Sequence, residues 1–170
     1  MRKTVTLLLA RAGIIAALYA VLSFAVFPVA SGAIQFRVSE ALTLLPLLYV
    51  EAIPALFVGC IAVNLLTGCA LYDVIFGSIV TLVAAILTYA CGRIFKTKPL
   101  KIGIGGLFPV LMNAFLLPVI WYFCYGQLEY AYMLQAAFLL LGEGVSVYVL
   151  GIYPAVKLFA LKEKGVGFLQ

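Results

Sequence analysis

A chain of 170 residues with 66% hydrophobic and 10% charged side chains, and a mean hydropathy of +1.23, falls outside the soluble globular class, in which about a quarter of residues are charged. The net charge of +5 does not point to nucleic acid, because the basic residues are set between apolar runs and so sorted by topology. Histidine is absent, which removes the usual zinc ligand, the commonest general base and any Ser-His pair. Long unbroken apolar runs, rather than short alternating strands, predict helices and exclude a β-barrel. The expected fold class is an all-α integral membrane protein, a six-helix bundle forming one domain over 1–170. The four cysteines, Cys60, Cys69, Cys91 and Cys124, stand singly without CxxC spacing and read as buried small residues.

The first predicted span, about 5–28, outruns a signal-peptide h-region and shows no clear cleavage site, so it is expected to remain. Arg11 lies a turn or two inside and is expected to snorkel to the headgroups. Ala12, Ala16 and Ala20 recur at i, i+4, i+8, a smooth strip on which another helix can approach closely. Pro28 to Gln35 is turn-forming. Arg37 and Glu40 then stand at i, i+3, placed to pair at the start of a second helix. From Val38 to Leu66 the sequence is apolar apart from Glu40 at its start and Glu51. The segment is long for one span and short for two, and it divides into helices at about 38–49 and 52–66.

Asn64, Thr67 and Gly68 end the third helix, and Asp73 opens the fourth, about 72–94. Negative charge is favoured at a helix N-terminus, so a simple cap competes with ligand binding for Asp73. Arg93 to Lys101 forms the most basic loop. The fifth span, about 102–125, has Asn113 near mid-depth and Pro118 as a kink. Its Trp121, Tyr122 and Tyr125 suit either an interfacial belt or stacking on a flat ligand. The sixth, about 130–160, carries Glu143 in its middle. An ionisable group there costs at least ~2.5 kcal/mol and normally faces a bundle interior or a cavity. At helical spacing Tyr132, Gln135, Leu139, Glu143 and Ser146 share one stripe. That seam either ties helices together or lines a pocket.

Six spans place every Lys and Arg except Arg37 on one side, so both termini are expected to be cytoplasmic. Gln35, Arg37, Glu40, Asn64, Asp73, Gln127, Glu129 and Gln135 then gather toward the outer face, with Asn113 and Glu143 deeper. Carboxylates, amides and aromatics without a cysteine cluster suit recognition better than catalysis. Buried carboxylates accept N–H donors strongly, amides read a mixed donor and acceptor edge, and aromatics stack on bases. The expected ligand is a planar, neutral or cationic heterocycle, bound through Arg37, Glu40, Asn64, Asp73, Asn113, Trp121, Gln135 and Glu143. No cofactor, metal or nucleic acid is expected. No GxxxxGK[ST] loop is present, so a pump built on this chain needs its ATPases elsewhere.

The stretches FRVSEALTLLP (Phe36 to Pro46), NLLTGCALYDVIFGSIVTL (Asn64 to Leu82) and LLLGEGVSVYVLG (Leu139 to Gly151) resemble the QueT family. Its members are substrate-binding S components of energy-coupling-factor (ECF) importers associated with queuosine precursors. The resemblance implies a non-enzymatic subunit of the bacterial cell membrane that captures a 7-deazaguanine-type base from outside. It further implies a transmembrane scaffold subunit and two ATPase subunits as partners. The family's AxxxA-type scaffold face is matched by Ala12, Ala16 and Ala20, and its ligand-closing loop would be Val29 to Arg37. Another vitamin or nucleobase fits the same architecture, and a stand-alone carrier is the competing reading.

Overall fold

The computed structural model describes residues 2–26, 36–126, 128 and 130–165, with side chains from residue 5 onward. Val29 to Gln35 of the expected closing loop, Gln127 and Glu129 lie outside the described residues. Every regular element among those described is helical. Helix α1 is Arg2–Ala25, followed by a 3₁₀ helix η1, Val38–Leu47, and by α2, Ala52–Leu66. A π-helical turn at Asp73–Gly77 leads into α3, Ser78–Ile94, and then comes α4, Lys98–Tyr125. Helix α5, Tyr132–Gly144, continues through a π-helical turn at Val145–Leu150 into α6, Ile152–Glu163.

Among the described residues, four stretches are long and apolar enough to cross a bilayer: Val5–Ala25, Asp73–Ile94, Lys98–Tyr125 and Tyr132–Glu163. Their outward faces carry large apolar side chains such as Leu9, Val21, Ile86 and Val149, as lipid contact requires. The two remaining helices, η1 and α2, are apolar but shorter.

The segment expected as an ordinary helix over 38–49 departs most from the sequence reading. Ten residues wound as an α-helix reach about 15 Å, whereas a 3₁₀ helix gains about 2 Å per residue and reaches about 20 Å. The tighter winding lets a short segment thread further through the bundle. Pro46, with no N–H to give, sits inside it without breaking a bond it could have donated. Thr43 Oγ1 donates to the Glu40 carbonyl at 2.6 Å, holding one turn.

Side-chain contacts fix the directions. Tyr19 reaches Glu40 and the Arg11 guanidinium lies over Tyr49, so α1 and η1 run antiparallel. Arg11 pairs with Glu51 while Gly59 faces Ala16 and Tyr19, so α1 and α2 run parallel. Asp73 meets Trp121 while Thr88 meets Gly105, so α3 and α4 are antiparallel. Asn113 meets Glu143 while Tyr148 meets Gly103, and α4 is antiparallel to the last helix as well.

Buried η1 is the hub: Leu44, Leu45 and Leu47 join Ile15, Leu56, Val110 and Val147 in one apolar core. Close approach depends on Gly92 of α3. A Cβ there would lie 2.6 Å from the Leu47 carbonyl oxygen and 2.9 Å from its Cα, both backbone atoms that cannot swing aside. Gly92→Ala should therefore push α3 off η1 and cost about 1–3 kcal/mol, as overpacking does. A lowered unfolding midpoint in detergent would register it. An unchanged midpoint would mean that the contact yields freely.

The basic residues collect at one end. Arg11 and Lys162 take up positions 5.5 and 4.7 Å from the Tyr49 ring, and Lys98 bonds Glu163 at 2.7 Å. The beginning of α1 and the end of α6 thus meet at the same end of the bundle. Arg11 is not the snorkelling side chain expected. It is 7% exposed and pairs at 3.1 Å with Glu51, itself 8% exposed.

Candidate functional site

A cavity of about 190 Å³ opens among α1, α2, α3, α4 and Arg37, the residue before η1, at the end away from Arg11, Lys98 and Lys162. The volume is many times the ~10–15 Å³ that a single water needs. Each helix delivers its contribution for a local reason. Helix α2 stops at Thr67, and Gly68 takes φ of 72°, a left-handed conformation that costs glycine little. The Cys69 N–H then returns to the Asn64 carbonyl at 3.0 Å. That reversal sets Asn64 at the rim and brings Asp73 round onto the facing wall. The π-helical turn after it widens the start of α3, a distortion found often at functional sites.

Of the residues chosen from sequence, Arg37, Asn64, Asp73, Asn113 and Trp121 line the cavity. Glu40 and Glu143 are each 1% exposed and stand one hydrogen bond behind its wall. The Tyr19 hydroxyl, on the wall, donates to Glu40 Oε1 at 2.6 Å, and Asn113 Nδ2, also on the wall, donates to Glu143 Oε1 at 3.1 Å. The second oxygens, Glu40 Oε2 and Glu143 Oε2, are buried and accept no hydrogen bond among the described residues. Glu143 lies within electrostatic reach of both Glu40 and Arg37. Gln135 is buried on the same stripe as Glu143 but is not brought to the cavity.

The two amides are committed in the same sense. Asn64 Nδ2 donates to the Asp73 carbonyl at 3.1 Å, as Asn113 Nδ2 does to Glu143. An amide has its donors on nitrogen and its acceptor on oxygen, so both side chains retain carbonyl oxygens for a ligand. The wall therefore offers acceptors to N–H groups, with Arg37 as the cationic donor.

Asp73 does not cap its helix through its side chain. It takes the Trp121 indole N–H on Oδ1 at 2.8 Å and the Tyr125 hydroxyl on Oδ2 at 2.6 Å, bracing the start of α3 against the end of α4. Trp121 is thereby pinned by its edge while its ring lines the cavity. Because Trp121 is the chain's single tryptophan, its emission reports on this brace alone. Asp73→Ala should red-shift that emission and cost about 1.5–3 kcal/mol of stability, the value of hydrogen bonds to a charged group. Identical emission from both proteins would show that Trp121 is held by packing.

Sequence reasoning overlooked Tyr19 and Ser23, two hydroxyls at i, i+4 on the otherwise apolar α1, both on the cavity wall. Their spacing was the available signal. Of the cysteines, Cys60 and Cys91 are buried as expected, whereas Cys69 is exposed and sits on the cavity lining. Ala12, Ala16 and Ala20 are half-buried. Ala12 and Ala16 pack on the core, and the Ala16 carbonyl faces Gly59.

Among the described residues, four long apolar helices, three of which help to line a polar cavity, define a multi-pass membrane protein with room for a small solute. The chain belongs to the QueT transporter family, whose family model matches residues 9–159. It is accordingly a membrane transport protein, a component of solute uptake, rather than an enzyme. No curated protein and no solved structure matches it.

Proposed function

We propose that this chain is the substrate-binding S component of an ECF-type importer and captures a queuosine precursor, a 7-deazaguanine-type base, from outside the cell. One observation carries the reading. A cavity with two amide oxygens, a tryptophan ring and two buried carboxylates directly behind its wall matches a flat heterocycle rich in N–H donors. In this arrangement Trp121 stacks on the base, Asn64 and Asn113 accept from its edge, and Arg37 donates to its carbonyl. Six membrane crossings, with η1 and α2 as the short ones, put both termini and the basic end in the cytoplasm. ATP hydrolysis belongs to two partner ATPases joined through a transmembrane scaffold, which docks on the α1 face bearing Ala12, Ala16 and Ala20.

The test is purification of the chain in detergent, mass spectrometry of extracted small molecules, and calorimetry with 7-deazaguanine bases. A copurifying deazaguanine and saturable binding are the expected results. Absence of binding to any such base, with a vitamin recovered instead, would transfer the cavity to another substrate. For the partner face, Ala20→Leu, at the half-buried alanine of the strip that does not pack on the core, should leave base binding intact and prevent recovery of the scaffold in a pull-down. Recovery of the complete complex would move the docking face off α1.

A further inference from the structure

A second pocket, of about 260 Å³, lies at the basic end between η1, α3, α4 and α6. Three cations from three helices line it: Arg93 on the last turn of α3, Lys101 on the first turn of α4 and Lys162 on the last turn of α6. Its one acid, Glu163, is already bonded by Lys98 at 2.7 Å. The pocket therefore carries positive charge that its own lining does not balance.

The cations are held in place rather than spread through solvent. Lys162 Nζ donates to the Leu48 carbonyl at 2.8 Å and stands 4.7 Å from the Tyr49 ring, Arg93 lies 4.9 Å over Tyr89, and Lys101 lies 6.0 Å from the Phe159 ring. Lys162 feels Arg93, Arg11 and Lys101 as like charges and Glu51, which is paired with Arg11, as the opposite one. Holding three cations together is unfavourable unless an anion joins them, and a phosphate does so through charge-assisted hydrogen bonds. The pocket's place at the helix ends points to the source of that phosphate. All three cations stand at the ends of helices that meet lipid, and the neighbouring Ile94 and Leu100 are exposed, 71% and 49%. Headgroups lie at that level, with acyl chains available to cover such apolar surface.

We propose that the pocket bounded by Arg93, Lys101 and Lys162 binds the phosphate headgroup of an anionic phospholipid. The lipid bridges α3, α4 and α6 at the end opposite the solute cavity. The site stands on the membrane location alone and holds whatever solute the other cavity takes.

The experiment uses the delipidated full chain in detergent, titrated with phosphatidylglycerol or with phosphatidylcholine of the same acyl chains, with bound lipids counted by native mass spectrometry. Phosphatidylglycerol should be retained in preference. Arg93→Gln, Lys101→Gln and Lys162→Gln should each weaken it about fivefold, the effect of one cation at a membrane surface. Lys101→Arg should retain it, which separates charge from folding. Lys96→Gln with Lys164→Gln removes two cations from the same end outside the pocket and should leave retention unchanged. Equal retention of the two lipids would overturn the proposal. So would an equal loss in the Lys96/Lys164 variant, or displacement by inorganic phosphate at the lipid's own concentration, which would assign the pocket to a soluble anion.

Discussion

Arg11→Met should lower the stability of the protein by about 3 kcal/mol, read as a fall in the unfolding midpoint in detergent. The side chain is replaced by one of similar length, so packing is largely kept and the loss is electrostatic. Arg11 and Glu51 are both under a tenth exposed and meet at 3.1 Å. Removing one partner of such a pair leaves a buried charge without its counter-ion, a change that costs about 3–5 kcal/mol. The lower end applies here, because Lys162 stands on the neighbouring Tyr49 and acts electrostatically on Glu51. The double variant Arg11→Met, Glu51→Leu should recover most of the loss, since replacing a whole buried pair with apolar groups is close to neutral. The pair would be shown to be marginal by a single variant that melts with the parent protein. A double variant worse than the single one would place the cost in packing.

The same pair shows where sequence stopped informing. Hydropathy and charge placement revealed the long helices, because lipid demands an unbroken apolar run and its ends are marked by Lys, Arg and turn residues. The buried stripe through Gln135, Leu139, Glu143 and Ser146 was equally legible, since helical periodicity is local. Arg11 and Glu51 are 40 residues apart, and nothing near either one announces the other. An arginine near a helix start looks the same whether it snorkels or pairs. Tyr19 and Glu40, 21 apart, were hidden likewise. The π-helical turns at Asp73 and Val145, and the 3₁₀ winding of η1, leave no periodic trace because they are set by the neighbours each segment must reach. Asp73 was recognised as important, but its role was not. A carboxylate at a helix start predicts a cap, and only the return of α4 supplies the two aromatic donors it takes instead.

With the proposed 7-deazaguanine base as ligand, Glu143→Gln should weaken binding by about 1.5–3 kcal/mol, roughly ten- to more than a hundred-fold, by calorimetry on the purified chain. Glutamine keeps the volume and can still accept the Asn113 amide proton, so the wall residue stays oriented. What is lost is the carboxyl group directly behind it, whose bond to Nδ2 polarises the Asn113 amide and strengthens it as an acceptor. Glu143→Leu should bind more weakly still, because it also frees Asn113 to turn its nitrogen toward the ligand. Trp121→Ala should cost a comparable ~1–3 kcal/mol through lost stacking. Its effect should add to that of Glu143→Gln, since one acts on the face of the base and the other on its edge. If affinity is the same with Glu143→Gln but falls with Glu143→Leu, the side chain serves only to aim Asn113. If neither variant changes it, the buried carboxylate of the last long helix ties the bundle together, and recognition must be sought along the wall formed by Tyr19, Asn64 and Arg37.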